Sequence, residues 1–375
     1  MKGVFNISVL LLGLIVTACV NEPKCQDNVR VITVDVTKQA DISEFVSSFD
    51  GYICLETPDD CLISDINKLK SVGDTIYISD DSKIAMFSRK DGSLLGKIQK
   101  QGRGPGEYIK LTNFDVFDSQ IYVLSSIDEN IIVYDFLGHV LKTIELGEGY
   151  RDLSVIDEDN IWLYSSDSND SMYNFILIDS AGKTKSEYDP FSENQSFILT
   201  DYVFCNKSSD TLFTAQYYDN IVYSLHRDGY NSAYKFDMNL KDMIPQETLS
   251  AMRIKDLHNT YKYNETLNRV VRIDENEDAL FAETLCFLTG KALRICFIKA
   301  NIDTGISCFY VKGEEIDDRF PLFDLSRPVC YDGKTMISYI EASDAKRYRK
   351  EFKLDYFSDI SEYDNPVIVF HTLNY

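Results

Sequence analysis

Histidine is nearly absent from this chain: four occur in 375 residues, at positions 139, 226, 258 and 371. No two stand four apart, so the His-Glu-x-x-His zinc signature is excluded. His139 and His226 sit at equivalent places beside turns, which reads as surface. The nine cysteines nowhere take the Cys-x2-Cys spacing of a zinc site. No Gly-x-Ser-x-Gly elbow occurs, and no Gly-x4-Gly-Lys-Ser/Thr phosphate loop. Positive charge is short as well. There are 38 Lys and Arg against 60 Asp and Glu, a net charge of −22. Such a balance repels nucleic acid phosphates and anionic lipid. Tryptophan occurs once, beside 24 Tyr and 22 Phe, and rings of that kind favour strands.

What is present is a repeat. Ile76-Tyr77-Ile78-Ser79 returns as Ile121-Tyr122-Val123-Leu124 and Ile161-Trp162-Leu163-Tyr164. Looser copies are Thr211-Leu212-Phe213-Thr214, Ala279-Leu280-Phe281-Ala282 and Thr335-Met336-Ile337-Ser338. A polar turn precedes most of them, and a second apolar run ending in an Asp/Gly turn usually follows. In the second copy, 111–117, 121–125, 131–134 and 140–146 read as four strands in series. The turn glycines Gly92, Gly138, Gly182 and Gly229 keep that period, and the fifth, Gly305, is delayed. One strand-rich unit of roughly 40–50 residues, repeated, predicts an all-β chain, a six-bladed β-propeller of four-stranded antiparallel blades. Residues 239–264 carry apolar residues at helical spacing after Pro245 and account for the delay. Residues 344–356 predict a second helical insertion. The sixth copy lacks a fourth strand. The alternating strand at 29–36 is expected to supply it and close the ring.

The N-terminus carries a different signal. Residues 4–16 form an apolar run too short to span a bilayer comfortably, which reads as a secretory signal. Val16-Thr17-Ala18-Cys19 resembles the bacterial lipoprotein cleavage box. The resemblance implies lipidation of Cys19, with 1–18 removed, 19–28 a tether and 29–375 the propeller. Export permits disulfides, and Cys54 and Cys61, flanking a Pro-Asp-Asp turn, are the candidate pair.

Gly102-Arg103-Gly104-Pro105-Gly106-Glu107-Tyr108, followed by the second copy, resembles the start of an NHL repeat. The whole chain resembles the bacterial six-bladed β-propeller lipoproteins, which share the cleavage box, the Gly-Pro-Gly-Glu-Tyr loop and an Asn-Pro-Val final strand. That resemblance implies fold and location, in the cell envelope and at the outer membrane, more than chemistry. The loop itself predicts turn-forming glycines and an inter-blade tyrosine. Its ligand-binding reading rests on Arg103, Glu107 and Tyr108. Acidic turns at 157–159, 167–170 and 274–278 leave calcium open as a cofactor, without the spaced Asp-x-Asp-x-Asp-Gly loop. Trp162 stands where Tyr77 and Tyr122 stand in their copies, which predicts packing over a sugar platform. The function expected is binding or scaffolding by a monomer, with a glycan, peptide or envelope protein as partner and the membrane reached through the lipid alone. The competing reading is a calcium-dependent hydrolase or lyase working at the central channel, and a third is a structural part of an envelope complex. No catalytic set stands out.

Overall fold

A computed structural model describes residues 29–165, 172–190, 204–208, 211–215, 218–245, 247–248, 252, 254–261, 264–275, 279–287, 294–301, 303–310 and 317–375. The signal segment, Cys19 and the tether lie outside them.

Four meanders follow the predicted order. The first is β3 (Lys68–Val72), β4 (Thr75–Ser79), β5 (Ile84–Ser88) and β6 (Leu94–Ile98). The second is β7 (Asn113–Phe117), β8 (Gln120–Ser125), β9 (Asn130–Tyr134) and β10 (Val140–Glu145). The third is β11 (Asp152–Asp157), β12 (Asn160–Tyr164), β13 (Tyr173–Ile178) and β14 (Thr184–Pro190). The fourth is β15 (Phe204–Ser208), β16 (Thr211–Ala215), β17 (Ile221–His226) and β18 (Gly229–Asp237). After helix α1 (Ile254–Tyr261) comes a fifth, β19 (Thr266–Glu275), β20 (Leu280–Phe287), β21 (Arg294–Asn301) and β22 (Thr304–Tyr310). The sixth holds β23 (Arg327–Asp332), β24 (Thr335–Ile340), helix α2 (Ala342–Phe352) and β25 (Val367–Leu373). All pairings within a meander are antiparallel, and the six copies read from the sequence are the six second strands.

The N-terminal segment departs from expectation. β1 (Arg30–Gln39) does not complete the sixth meander. It lies between the fourth strands of two others, parallel to β18 through 30–33 and to β22 through 33–39. It thereby joins the fourth and fifth meanders into one nine-stranded sheet. The strand that completes the sixth is β2 (Val46–Cys54), antiparallel to β25. The segment is thus a strap: it covers two outer edges, turns through Ile42–Glu44, and supplies a third outer strand. Covering β18 and β22 removes two open edges that could pair with other chains.

Within 239–264 the described helical residues are 247–248 and Ile254–Tyr261, and the Thr248 N–H returns to the Pro245 carbonyl at 2.9 Å. α2 starts two residues before 344 and stops at Phe352, where Lys353 takes a left-handed conformation with φ 54° and returns its N–H to the Arg349 carbonyl.

The apolar cores lie between consecutive meanders. Tyr77, Met86 and Ile98 of the first face Phe114, Ile121 and Tyr134 of the second. Trp162 and Phe175 of the third face Leu212 and Leu225 of the fourth. Val34 and Ile32 of the strap sit in the core of the fourth and fifth. The sixth meets the fifth through Tyr331 and Phe281, and the first through Ile337, Phe370, Ile76 and Ile78. Each fully buried aliphatic or aromatic side chain contributes about 1.5–3 kcal/mol. Tyr77, Tyr122 and Trp162 are all buried at their shared position, as the packing reading requires.

Candidate functional site

First strands of successive meanders run side by side: β23 beside β3, β3 beside β7, β7 beside β11, β11 beside β15 and β15 beside β19. In three of them the same two positions are polar: Lys68 and Lys70, Asn113 and Asp115, Asp152 and Ser154. A strand alternates its faces, so residues two apart share one side. Stacked edge to edge, these pairs build a continuous polar wall.

Lys68 Nζ donates to Asn113 Oδ1 at 2.7 Å and lies 3.4 Å from Asp152 Oδ1. Asn113 Nδ2 donates to that same Asp152 oxygen at 2.6 Å. The other Asp152 oxygen accepts from the Phe204 N–H at 3.4 Å, which carries the chain to β15. One register along, Lys70 pairs with Asp115, and Asp115 Oδ2 accepts from the Val155 N–H at 2.8 Å. Burial pulls the Lys68 ammonium below its usual value, with Asp152 opposing. Burial acts to raise the Asp115 carboxyl, but Lys70 and then Lys68 outweigh it and hold it low.

The fifth, sixth and first meanders contribute a second cluster. Arg272 donates to the Val329 carbonyl and lies over the Tyr331 ring, 4.8 Å from its centroid. Tyr331 donates its hydroxyl to Glu283 Oε2 at 2.6 Å, and burial, then Glu283, pushes that phenol well up. Arg89 pairs with Asp332 and donates to Ser71 at 3.2 Å. Lys70, Arg89 and Asp332 keep 26%, 26% and 39% of their side chains exposed. They are the part of the wall that a ligand can reach. The sequence signal for the wall was present, as the same two polar positions in three successive first strands.

The residues expected at the Gly-rich loop are placed otherwise. Tyr108 is fully buried, and its hydroxyl donates to the Ser82 carbonyl at 2.9 Å and accepts from the Lys100 N–H at 3.2 Å. The Glu107 carboxylate turns back to accept from the Gly104 N–H at 2.7 Å. A Cβ on Gly102 would stand 1.9 Å from that carboxylate, so the glycine is there to admit it. Gly106 has φ +72°, and its carbonyl accepts from Tyr134 at 2.9 Å. Two of the three candidates therefore hold the loop together, because their polar atoms are spent on its backbone. Arg103 is exposed, as is Glu107, and has no ion pair among the described residues.

The remaining candidates lie apart. Cys54 and Cys61 are free thiols. Cys54 ends β2 in an exposed position, while Cys61 turns into the core between the sixth and first meanders. His139 bonds Asp135 on an exposed turn, and His226 contacts Thr211 at 3.2 Å. His371 is buried in the sixth meander. Asp157 accepts from the Asp159 N–H and the Asn160 amide and pairs with Arg227, so this acidic turn is bonded within the protein. The runs 167–170 and 276–278 lie outside the described residues. Among the described residues no three Asp, Glu, His or Cys side chains gather where a metal could be held. No helix among them is long and apolar enough to cross a membrane.

No curated protein matches this sequence. Among solved structures, a candidate exported protein from Bacteroides fragilis is similar, with a TM-score of 0.69 and 17% identity over 92% of this chain and 99% of its own. A member of the DUF4221 family from Bacteroides vulgatus is similar too, at 0.51 and 12%, over 88% and 97%. At these identities the likeness is one of fold. The family model described as "Domain of unknown function (DUF4934)" matches residues 29–372, from the strap to the last strand, and the chain belongs to that family.

Proposed function

We propose that the six meanders close into one six-bladed β-propeller, and that it is an exported, lipid-anchored binding protein with its ligand site at the polar throat formed by the first strands. One observation carries the binding reading: the charged wall from Lys68 to Asp152 and from Arg272 to Asp332, with Lys70, Arg89 and Asp332 still in reach of solvent. Buried ionic groups cost several kcal/mol each to desolvate, so a propeller wall made for packing alone would be apolar. Mixed cations and carboxylates suit a polar ligand, a glycan or a peptide, that exchanges hydrogen bonds with them. Ring closure is supported by the apolar cores between all consecutive meanders, including the sixth and the first. Export and anchoring are supported by residues 4–16 and by Val16-Thr17-Ala18-Cys19. The described exported character of the Bacteroides fragilis neighbour agrees with export.

The test is a glycan and peptide array probed with the mature chain, repeated with Lys70→Met and Asp332→Asn. Binding that both substitutions abolish supports the throat. Binding that neither changes refutes it. Partition of the full-length protein into detergent, lost on Cys19→Ala, tests the anchor.

A further inference from the structure

A basic feature of this acidic molecule lies away from the throat, on the helix inserted into the sixth meander. α2 forms because Ala342, Ala345 and Tyr348 repeat at helical spacing. Ala345 and Tyr348 bury against Leu325, Ile340, Val367 and Val369. The other side of its last two turns borders a groove of about 430 Å³. Lys346, Arg349, Lys350 and Lys353 supply its basic lining, and Leu354, Phe357 and Ile360 its apolar lining.

Two cations in a last helical turn are ordinary complements to the helix dipole. Four within eight positions, gathered on one groove in a chain of net charge −22, exceed that need. Arg349 is held by the Ser358 carbonyl at 2.9 Å, and Lys346 stands 3.7 Å from Glu362. Lys350 and Lys353 have no ion pair among the described residues. The backbone here is also strained. Lys353 and Phe357 both take positive φ, 54° and 65°. Conformations of this kind cost about 1–3 kcal/mol in a bulky residue and concentrate at ligand clamps.

We propose that this groove binds an acidic peptide segment that carries an apolar side chain among its carboxylates. Carboxylates would pair with Lys350 and Lys353, and the apolar side chain would cover Leu354 and Ile360 over the buried Phe357. The volume lies within the ~300–1,000 Å³ span of ligand clefts. A flat anionic bilayer fits less well, since the cations line a concavity. A sulfated glycan would match the cations but leave the aliphatic lining uncovered. This site is separate from the throat, and the reading does not depend on it.

The test is fluorescence anisotropy of the whole mature protein with a labelled Asp-Leu-Asp-Phe-Asp peptide, beside the wild type's circular dichroism. Lys350→Gln/Lys353→Gln, both on the surface, should weaken binding at least about tenfold, and raising salt should weaken it further. Replacing the peptide's Leu and Phe by Ser should weaken it about tenfold as well. A Lys-Leu-Lys-Phe-Lys peptide should not bind. No binding at millimolar peptide, or equal binding by the double variant, overturns the proposal. So does tighter, Lys350/Lys353-dependent binding of a sulfated oligosaccharide or of phosphatidylglycerol vesicles.

Discussion

His371 should make the stability of this protein fall on mild acidification. The side chain is buried on β25, in ring contact with Phe49 and Phe323. Its Nε2 lies 3.0 Å from the Pro321 carbonyl, which can only accept, so Nε2 carries the proton and Nδ1 does not. Nδ1 is buried without a partner. A second proton would place a charged donor there with nothing to receive it. Burial accordingly lowers the imidazole from 6.5 to about 4, against a smaller upward pull from the Pro321 carbonyl and Asp50. A depressed value means that the unfolded chain takes up the proton first. The stabilisation is complete above about pH 6.5 and is lost as pH falls toward about 4. Linkage sets the full difference at about 3 kcal/mol, of which about 2 kcal/mol disappears between pH 7 and 5. Urea midpoints measured at half-unit steps from pH 7 to 5 should show this loss. His371→Gln should be less stable at pH 7 and nearly flat across the same interval. Ring-nitrogen shifts should report an Nε2–H tautomer that titrates near 4. A midpoint at or above 6, or the same slope in the variant, would refute the reasoning.

Asp115→Ala should cost about 3 kcal/mol, because it leaves Lys70, Lys68 and the Val155 N–H uncompensated inside the wall. In a double-mutant cycle with Lys70→Met the loss should be smaller than the sum of the two, by about 1 kcal/mol or more, read from urea midpoints. Gly106→Ala should destabilise by about 1–3 kcal/mol, since its φ is +72° and a Cβ would meet Val140 Cγ2 at 2.4 Å. Removing residues 29–39 would uncover the outer edges of β18 and β22, and light scattering should register more self-association than for the intact protein.

The second strands are legible because they are largely buried, so apolar residues run through them, most fully in Ile121 to Leu124. The N-terminal strap was misassigned for a physical reason. Ile32, Val34 and Val36 alternate cleanly because β1 is flanked on both sides and packs into a core. The strand that completes the sixth meander, β2, is an edge. Only Val46 of it is buried, so Val-Ser-Ser-Phe-Asp-Gly-Tyr-Ile-Cys gives almost no alternation to read. The cleaner pattern marked the interior strand, and the weaker one marked the edge. In sequence Lys68, Asn113 and Asp152 look like ordinary strand-entry polar residues, and they form a wall only where three first strands lie side by side. At the loop, Tyr108 was read correctly as an inter-blade residue. Its hydroxyl and the Glu107 carboxylate could not be seen, from sequence, to turn inward onto backbone.

The features that break the repeat share one end of the molecule. In an up-and-down meander, successive connections leave from alternate ends. The connections after second and fourth strands therefore gather on one side, and the tight turns after first and third strands on the other. The Gly102–Tyr108 loop follows the fourth strand β6, α1 follows the fourth strand β18, and α2 follows the second strand β24. The opposite end carries the short turns, among them Asp91-Gly92 and Asp157-Glu158-Asp159, whose carboxylates accept from their own turn's N–H groups. Selection on a ligand acts through side chains that vary without disturbing the repeat, and the inserted segments offer such positions. The basic groove of α2 and the exposed Arg103 both lie there. Recognition by the inserted segments is thus to be sought on that end, while Arg89 and Asp332 of the throat, beside the turns after β5 and β23, open on the other.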